Sequence, residues 1–290
     1  MDAAISVGAR SDAEVAAGHH RERWLAGVPL TASSADTYDR FVEPAIFRPW
    51  AEVFVSWLGV RPGDAVLDVG TGTGAVARRA APYVGDGGRV VALDTNRGML
   101  IRGARADTRS VACWVQGDAQ SIPFAAEQFT VVTCQHVLPL VPDRHAALRE
   151  MRRVLRPEGT LGVVAWASIE DNPASAALAD VIDRHVDPEL ATWYRTAPFG
   201  CGSVQSLHAD LTEAGFVGVE IVKRELSVSF ECVALFARVY IDGPQFADAG
   251  PTARQCLLDE LEVKLSRYCQ GGRLTYPTTA YQVRASRPTQ

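Results

Sequence analysis

The residues with chemical potential fall in a few short runs. Leu67-Asp68-Val69-Gly70-Thr71-Gly72-Thr73-Gly74 sets three glycines behind an apolar run. Glycines there let the backbone turn tightly and approach a ligand closely. Their spacing is G-x-G-x-G, whereas a dinucleotide fingerprint reads G-x-G-x-x-G, so the third glycine comes one residue early. Asp68 precedes the first glycine by two residues. A carboxylate at that point disfavours a pyrophosphate and suits the cationic end of a ligand. Asp94 and Asp118 each close a further apolar run, and Gln135-His136 closes another. A carboxylate can take two O–H donors at once. Histidine is the side chain that titrates nearest neutrality.

The elements that must position these residues follow from the pattern around them. Ala65–Gly70, Arg89–Asp94, Ala112–Asp118, Phe129–Cys134 and Thr160–Ala167 read as buried strands. Between them, Ala75–Tyr83, Arg97–Ala106 and Asp143–Leu155 read as helices, the last with Asp143 as its cap and Pro157-Glu158-Gly159 as a turn after it. Strand–helix alternation predicts an α/β fold with a doubly wound, mostly parallel sheet covered on both faces. Ligands of such a sheet bind beyond the carboxyl ends of the strands. Gly70, Asp94, Asp118 and Gln135-His136 all fall at those ends and define one candidate site. Upstream, apolar residues recur at helical spacing from Asp36 to Leu58, with Pro44 and Pro49 expected to break the run in two. Downstream of Ser168 the alternation stops. Helices and loops are expected over 170–210 and 231–275, folding over the site as a lid, with strands at 219–230 and 279–285.

Composition bounds the function. The chain has 290 residues, 47% of them hydrophobic and 22% charged, with a net charge of −5. This is globular composition, and the mildly acidic balance argues against nucleic acid as a partner. No apolar stretch is long enough to span a bilayer, and the polar N-terminus is not a secretory signal. Six cysteines without a CxxC pair read as reduced thiols of a cytoplasmic protein. His19-His20 has no further ligand at metal spacing and reads as part of a mobile tail. No metal constellation is found.

As a set, VLDVGTGTG at 66–74, VVALDTNRGML at 90–100, GDAQSIPF at 117–124, FTVVTCQHVLPLVPDRHAALREMRRVLRPEGTL at 129–161 and TYDRFVEPAIFRPW at 37–50 resemble the class I S-adenosylmethionine-dependent methyltransferases. The likeness is to those of ubiquinone/menaquinone biosynthesis and natural-product tailoring. It implies a seven-stranded Rossmann-like sheet with helical lid elements, and S-adenosylmethionine as cofactor, leaving as S-adenosylhomocysteine. It also implies residue roles. Gly70, Gly72 and Gly74 would pass beneath the cofactor, with the Thr71 backbone at its methionyl part and Asp68 serving the ammonium. Asp94 would accept both ribose hydroxyls. Thr95 and Met99 would wall the adenine, Asp118 and the Ala119 amide would meet its edge, and Gln135 would line the methionyl end. Tyr38 would close over the cofactor, with Trp50 a weaker candidate for the same rim.

Methyl transfer requires chiefly alignment and exclusion of water. A hydroxyl acceptor often needs a base as well. The histidine that some natural-product O-methyltransferases carry before the P-D-R segment is replaced here by Pro139-Leu140-Val141. His136 is therefore the candidate catalytic base, with His145, His185 and His208 as further histidines to place. The expected function is methylation of a small, hydrophobic molecule at oxygen or carbon, within aromatic walls drawn from Trp193, Tyr194, Phe199, Phe236, Tyr240, Phe246, Tyr268 and Tyr276. Two alternatives are cofactor binding with a non-methyl reaction such as cyclisation, and a non-enzymatic cofactor-binding module; a dehydrogenase is disfavoured by the glycine spacing. The expected layout is a flexible segment at 1–35, a cofactor-binding core at 36–168, and a part at 169–290 that completes the sheet and supplies the lid.

Overall fold

In a computed structural model of the chain, residues 32–109, 111–241 and 250–289 are described. The expectations for residues 1–31, including His19-His20, and for Phe246 lie outside the described residues.

Five strands, paired in parallel, make up the first part of the sheet. They are β1 (Ala65–Val69), β2 (Arg89–Asp94), β3 (Cys113–Gln116), β4 (Phe129–Gln135) and β5 (Leu155–Trp166). Every residue of β1 is buried, the signature of a strand covered on both faces. The connecting helices are α3 (Ala75–Val84), α4 (Arg97–Ala106) and α5 (Arg144–Val154), numbered after two upstream helices. Asn96 caps α4 by accepting from the Gly98 and Met99 amides, and Asp143 caps α5 by accepting from Ala146. The strand β6 (Val217–Phe230) and the final strand β8 (Arg273–Ser286) complete the sheet, in the order β3-β2-β1-β4-β5-β8-β6. β8 runs antiparallel to both β5 and β6, and the two-residue β7 (Cys269–Gln270) pairs with its start. The doubly wound, mostly parallel sheet expected from the strand–helix alternation is present.

Two expectations need correction. Pro44 and Pro49 do not break the upstream helix. It continues from α1 (Ala32–Thr37) through a π-helical stretch, Tyr38–Phe47, into α2 (Arg48–Leu58). The wider turn, in which the Arg48 amide reaches back to the Glu43 carbonyl, accommodates Pro44. Pro49 sits in the first turn of α2, where its missing N–H costs little. Pro157-Glu158-Gly159 is not a turn preceding the fifth strand but a kink within it. Glu158 has φ 64°, and the pairing with β4 slips between Phe129 and Val131 while β5 continues.

The sheet carries a core on each face. One face packs Leu67, Val132 and Leu161 against Leu148 and Met151 of α5 and against Leu207 and Leu211 of α8 (Val204–Glu213). The other packs Val66 and Val164 against Trp50 and Phe54 of α2 and Ala77 of α3. A third core joins the π-helical stretch to α6 (Pro173–His185), α7 (Pro188–Thr196), α9 (Val233–Ile241) and α10 (Pro251–Leu265), through Leu178, Phe236, Leu257 and Tyr276 among others. The 170–210 stretch is thus divided: α6 and α7 join the third core, whereas α8, beginning at Val204, covers the sheet.

Candidate active site

The glycine loop is built from left-handed backbone. Gly70, Gly72 and Gly74 have φ of 69°, 58° and 92°, values that side chains with a Cβ adopt only at a cost. The loop is pinned to β2, because the Gly70 and Thr71 amides donate to the Leu93 carbonyl at 2.8 and 3.0 Å. Asp94, at the end of β2, completes the pinning. Its Oδ2 accepts from the Gly72 amide and its Oδ1 from the Asn96 amide, each at 2.8 Å. Burial raises the Asp94 carboxyl above the ordinary carboxylate range.

Asp68 braces the loop from below. Its Oδ2 accepts from Thr71 Oγ1 at 2.6 Å and from the Ala77 amide at 3.2 Å, and its Oδ1 accepts from Thr133 Oγ1 at 2.8 Å. Burial pushes this carboxyl up to about 6 against the pull of those three donors, and the Asp94 charge adds to the rise. Two acids therefore share one poorly solvated strand edge, an arrangement that a cationic ligand end would stabilise.

The remaining sequence-predicted residues are distributed around this edge. Met99, on α4, is buried, and Thr95 is exposed just beyond β2. Asp118 is exposed, and its Oδ1 accepts from the Gln120 amide at 2.8 Å; Ala119 beside it is buried in the sheet core. Gln135 is buried, and its Nε2 donates to the Phe47 carbonyl at 3.1 Å. Tyr38 lies over the loop, with its hydroxyl 3.8 Å from where a Cβ on Gly72 would stand, and it stacks on Phe47 at 5.4 Å. Between this lid and the loop, the cavity lined by Tyr38, Phe47, Asp68, Gly70, Thr71, Ala75, Val76 and Gln135 measures about 20 Å³. That is space for one water, far below the several hundred Å³ of a ligand site. The upstream helix is thus drawn down onto the loop.

Two expectations change here. Trp50 is not at a rim: it is fully buried, with Nε1 donating to Thr278 Oγ1 at 3.0 Å. His136 is not poised as a base. Its ring is buried, stacked on Trp166 at 3.7 Å, and flanked by Phe47 and Trp50. Burial drives its proton affinity down to about 3, so the ring is neutral at pH 7. The other histidines lie elsewhere. His145 faces Asp210 and Glu213 where α5 meets α8, His185 bonds Glu260 at 2.8 Å, and His208 is exposed on α8. Tyr194, Phe236, Tyr240 and Tyr276 pack against one another inside the third core. Among the described residues no three His, Cys, Asp or Glu side chains gather as a metal site.

Several residues that matter were missed by sequence reasoning. Arg78 ties lid to loop: it donates to the Thr73 carbonyl at 2.5 Å and pairs with Glu43 at 3.3 Å and Asp39 at 3.6 Å. Arg48 also holds Glu43, at 2.7 Å, and Arg102 pairs with Asp36 and Asp39. The available signal was the spacing of Asp36, Asp39 and Glu43, three acids on one helical face. Trp166 and Thr133 carried no local signal.

Comparison with known proteins bears on the family and the fold. Residues 67–163 match the family model described as a methyltransferase domain. The ubiquinone/menaquinone biosynthesis C-methyltransferase UbiE of Roseobacter denitrificans is 36% identical over 163 residues, covering 55% of this chain and 64% of that protein. The chain thus matches less than two thirds of that relative's length. A putative methyltransferase of Bacillus halodurans superposes with a TM-score of 0.55 at 24% identity, covering 82% of this chain and 99% of that one. Phosphoethanolamine N-methyltransferase 2 of Haemonchus contortus, solved with S-adenosyl-L-methionine, gives 0.59 at 15% identity, covering 92% of this chain and 60% of that one. These two share the fold. Residues 67–163 thus match a methyltransferase domain, the fold is shared with solved methyltransferases, and over about half its length the chain is similar to the UbiE C-methyltransferases.

Proposed function

We propose that the protein transfers a methyl group from S-adenosylmethionine to carbon or oxygen of a small, largely apolar molecule. The observation that carries the reading is Asp94: a carboxylate at the end of β2, held on the Gly72 and Asn96 amides beside a loop of three left-handed glycines. Its oxygens keep lone pairs for two further O–H donors, which is what a ribose diol offers. The residues present fit the cofactor in charge as well. Asp68 and Asp94 concentrate negative charge at the edge, and Gln135 Oε1 is buried without a partner.

When bound, the cofactor would supply an electrophilic methyl group on a sulfonium. Asp94 would hold the ribose, and Gly70, Thr71, Gly72 and Gly74 would let the methionyl part pass close to the backbone. Asp68 would face the ammonium, Gln135 would border it, and Thr95, Met99, Asp118 and Ala119 would enclose the adenine. Tyr38 would close the site, and its helix must first withdraw, because the present cavity is too small. Excluding water and aligning the acceptor are the main demands of the reaction, and a lid of this kind serves both.

Titration calorimetry with S-adenosylmethionine, S-adenosylhomocysteine and NAD tests the reading. Both adenosyl ligands should bind and NAD should not. Asp94→Ala should weaken the adenosyl ligands by roughly ten- to a hundredfold, the scale of hydrogen bonds to a charged group. Absence of adenosyl binding, or binding of NAD in its place, would reject it.

A further inference from the structure

The end of β4 buries polar atoms that nothing in the described structure pairs. Gln135 Oε1 has no hydrogen-bond partner, and neither does His136 Nδ1 nor Nε2. Leaving such groups dry and unpaired is costly, so their persistence calls for a reason. A neutral imidazole has one nitrogen to donate and one to accept. Three aromatic rings, Phe47, Trp50 and Trp166, stand against it, and burial, with no charged group contributing, sets its protonation.

The backbone is bent to make this arrangement. Consecutive residues of an extended strand point to opposite faces. His136, however, has φ 58°, a strained value for a side chain with a Cβ. Both residues consequently meet Phe47: Gln135 Nε2 bonds its carbonyl, and the His136 ring lies 5.7 Å from its ring. Trp166 then stacks on the imidazole, and Trp50 stands against its edge at 5.9 Å. Strain, burial and unspent hydrogen-bonding capacity coincide on His136, whose chain neighbour Gln135 and ring neighbour Phe47 line the cavity under Tyr38.

We infer that His136 and Gln135 form the polar subsite for the methyl acceptor, taking one uncharged hydroxyl group against the wall of Phe47, Trp50 and Trp166. One imidazole nitrogen, as N–H, donates to the hydroxyl oxygen, and Gln135 Oε1 accepts the hydroxyl's hydrogen bond. A carboxylate in this place would be buried with no cation among the ring's neighbours, and a bare hydrocarbon would leave the three atoms unpaired. A site built to hydrogen-bond a hydroxyl rejects both. The word acceptor rests on the methyltransferase reading; the hydroxyl subsite does not.

Equilibrium dialysis of the protein saturated with S-adenosylhomocysteine, against 2-naphthol, naphthalene and 2-naphthoate, tests the inference. Wild type should retain 2-naphthol about tenfold more tightly than the other two. His136→Phe keeps a ring on Trp166 and removes both nitrogens. It should bring 2-naphthol to the level of naphthalene and leave naphthalene unchanged. Equal retention of the three probes, retention of none, or an undiminished preference in His136→Phe overturns the inference. Because a phenylalanine at φ 58° can impair folding, imidazole ¹⁵N resonances are followed in the wild type as well. The His136 nitrogens should move on adding 2-naphthol and not on adding naphthalene; unmoved resonances overturn the inference. Calorimetry with S-adenosylhomocysteine is run first. If it does not bind, the cofactor reading fails by itself, and dialysis on the unliganded protein still decides the subsite.

Discussion

Asp68→Asn separates what the buried acid does for the cofactor from what it costs the fold. Asp68 ordinarily titrates at 3.8, and burial pushes it up to about 6. A carboxyl raised in the folded state binds protons more tightly there than in the unfolded chain. The folded protein therefore gains stability from this group as pH falls through 6 towards 3.8, and loses that gain as pH rises. Between pH 7.5 and pH 5 the folded form takes up about one proton more than the unfolded chain, a gain on the order of 1 kcal/mol. Asparagine has no such term. Its Oδ1 can still accept from Thr71 or Ala77, and its Nδ2 can donate to Thr133 Oγ1. The difference in urea-unfolding free energy between wild type and Asp68→Asn should therefore shift on the order of 1 kcal/mol in favour of wild type from pH 7.5 to pH 5. In calorimetry the cofactor should bind the ionised form of wild type. Its Kd should rise about tenfold over the same interval, while Asp68→Asn binds weakly at both pH values. A stability difference that does not change with pH would refute the argument, because Asp68 would then titrate like an exposed acid.

Two further outcomes follow from the packing. Gly103 lies in α4 beneath the Trp114 ring, which a Cβ there would strike. Gly103→Ala, stabilising in an open helix, should instead cost about 1–3 kcal/mol in thermal unfolding, and Trp114→Leu in the same chain should recover part of it. Arg78→Ala leaves the nearly fully buried Glu43 with Arg48 alone. It should cost about 3 kcal/mol and expose the Tyr38–Phe47 stretch to proteases, whereas Arg102→Ala, at a more exposed pair, should cost under about 1 kcal/mol.

Much of the cofactor edge was legible because it is encoded locally. An apolar run closed by glycine or an acid gives the strand, its end and the residue displayed there, so Gly70, Asp94 and Asp118 could be placed without coordinates. What was not legible depends on pairing or on burial. β8 begins at Arg273, well before the apolar stretch at 279–285, because β6 pairs with it along twelve positions from Val217 to Phe230. β5 runs through Pro157-Glu158-Gly159 because Glu158 and Gly159 are tied to Arg287, at 3.0 and 2.9 Å. Local sequence marks that tripeptide as a turn, and the tertiary hydrogen bonds override it. Trp50 and His136 were misjudged for one reason. Helical spacing or a strand end says which side a residue is on, but not how much is packed above it.

That packing points to Phe47 as the link between the two halves of the candidate site. Its ring stacks on Tyr38, which covers the glycine loop, and also meets His136 and Trp166. Its carbonyl holds Gln135. Phe47 ends the π-helical stretch, whose acids are clamped by Arg48, Arg78 and Arg102. A displacement of this stretch large enough to open the space above Gly72 cannot leave the Gln135 and His136 contacts in place. Cofactor admission and exposure of the acceptor subsite therefore share one mechanical step, and its resistance is set mainly by Arg78 and Glu43, the least solvated pair of the clamp. Because water screens that pair weakly, the clamp should hold at salt concentrations that dissolve the outer pair of Arg102 and Asp36.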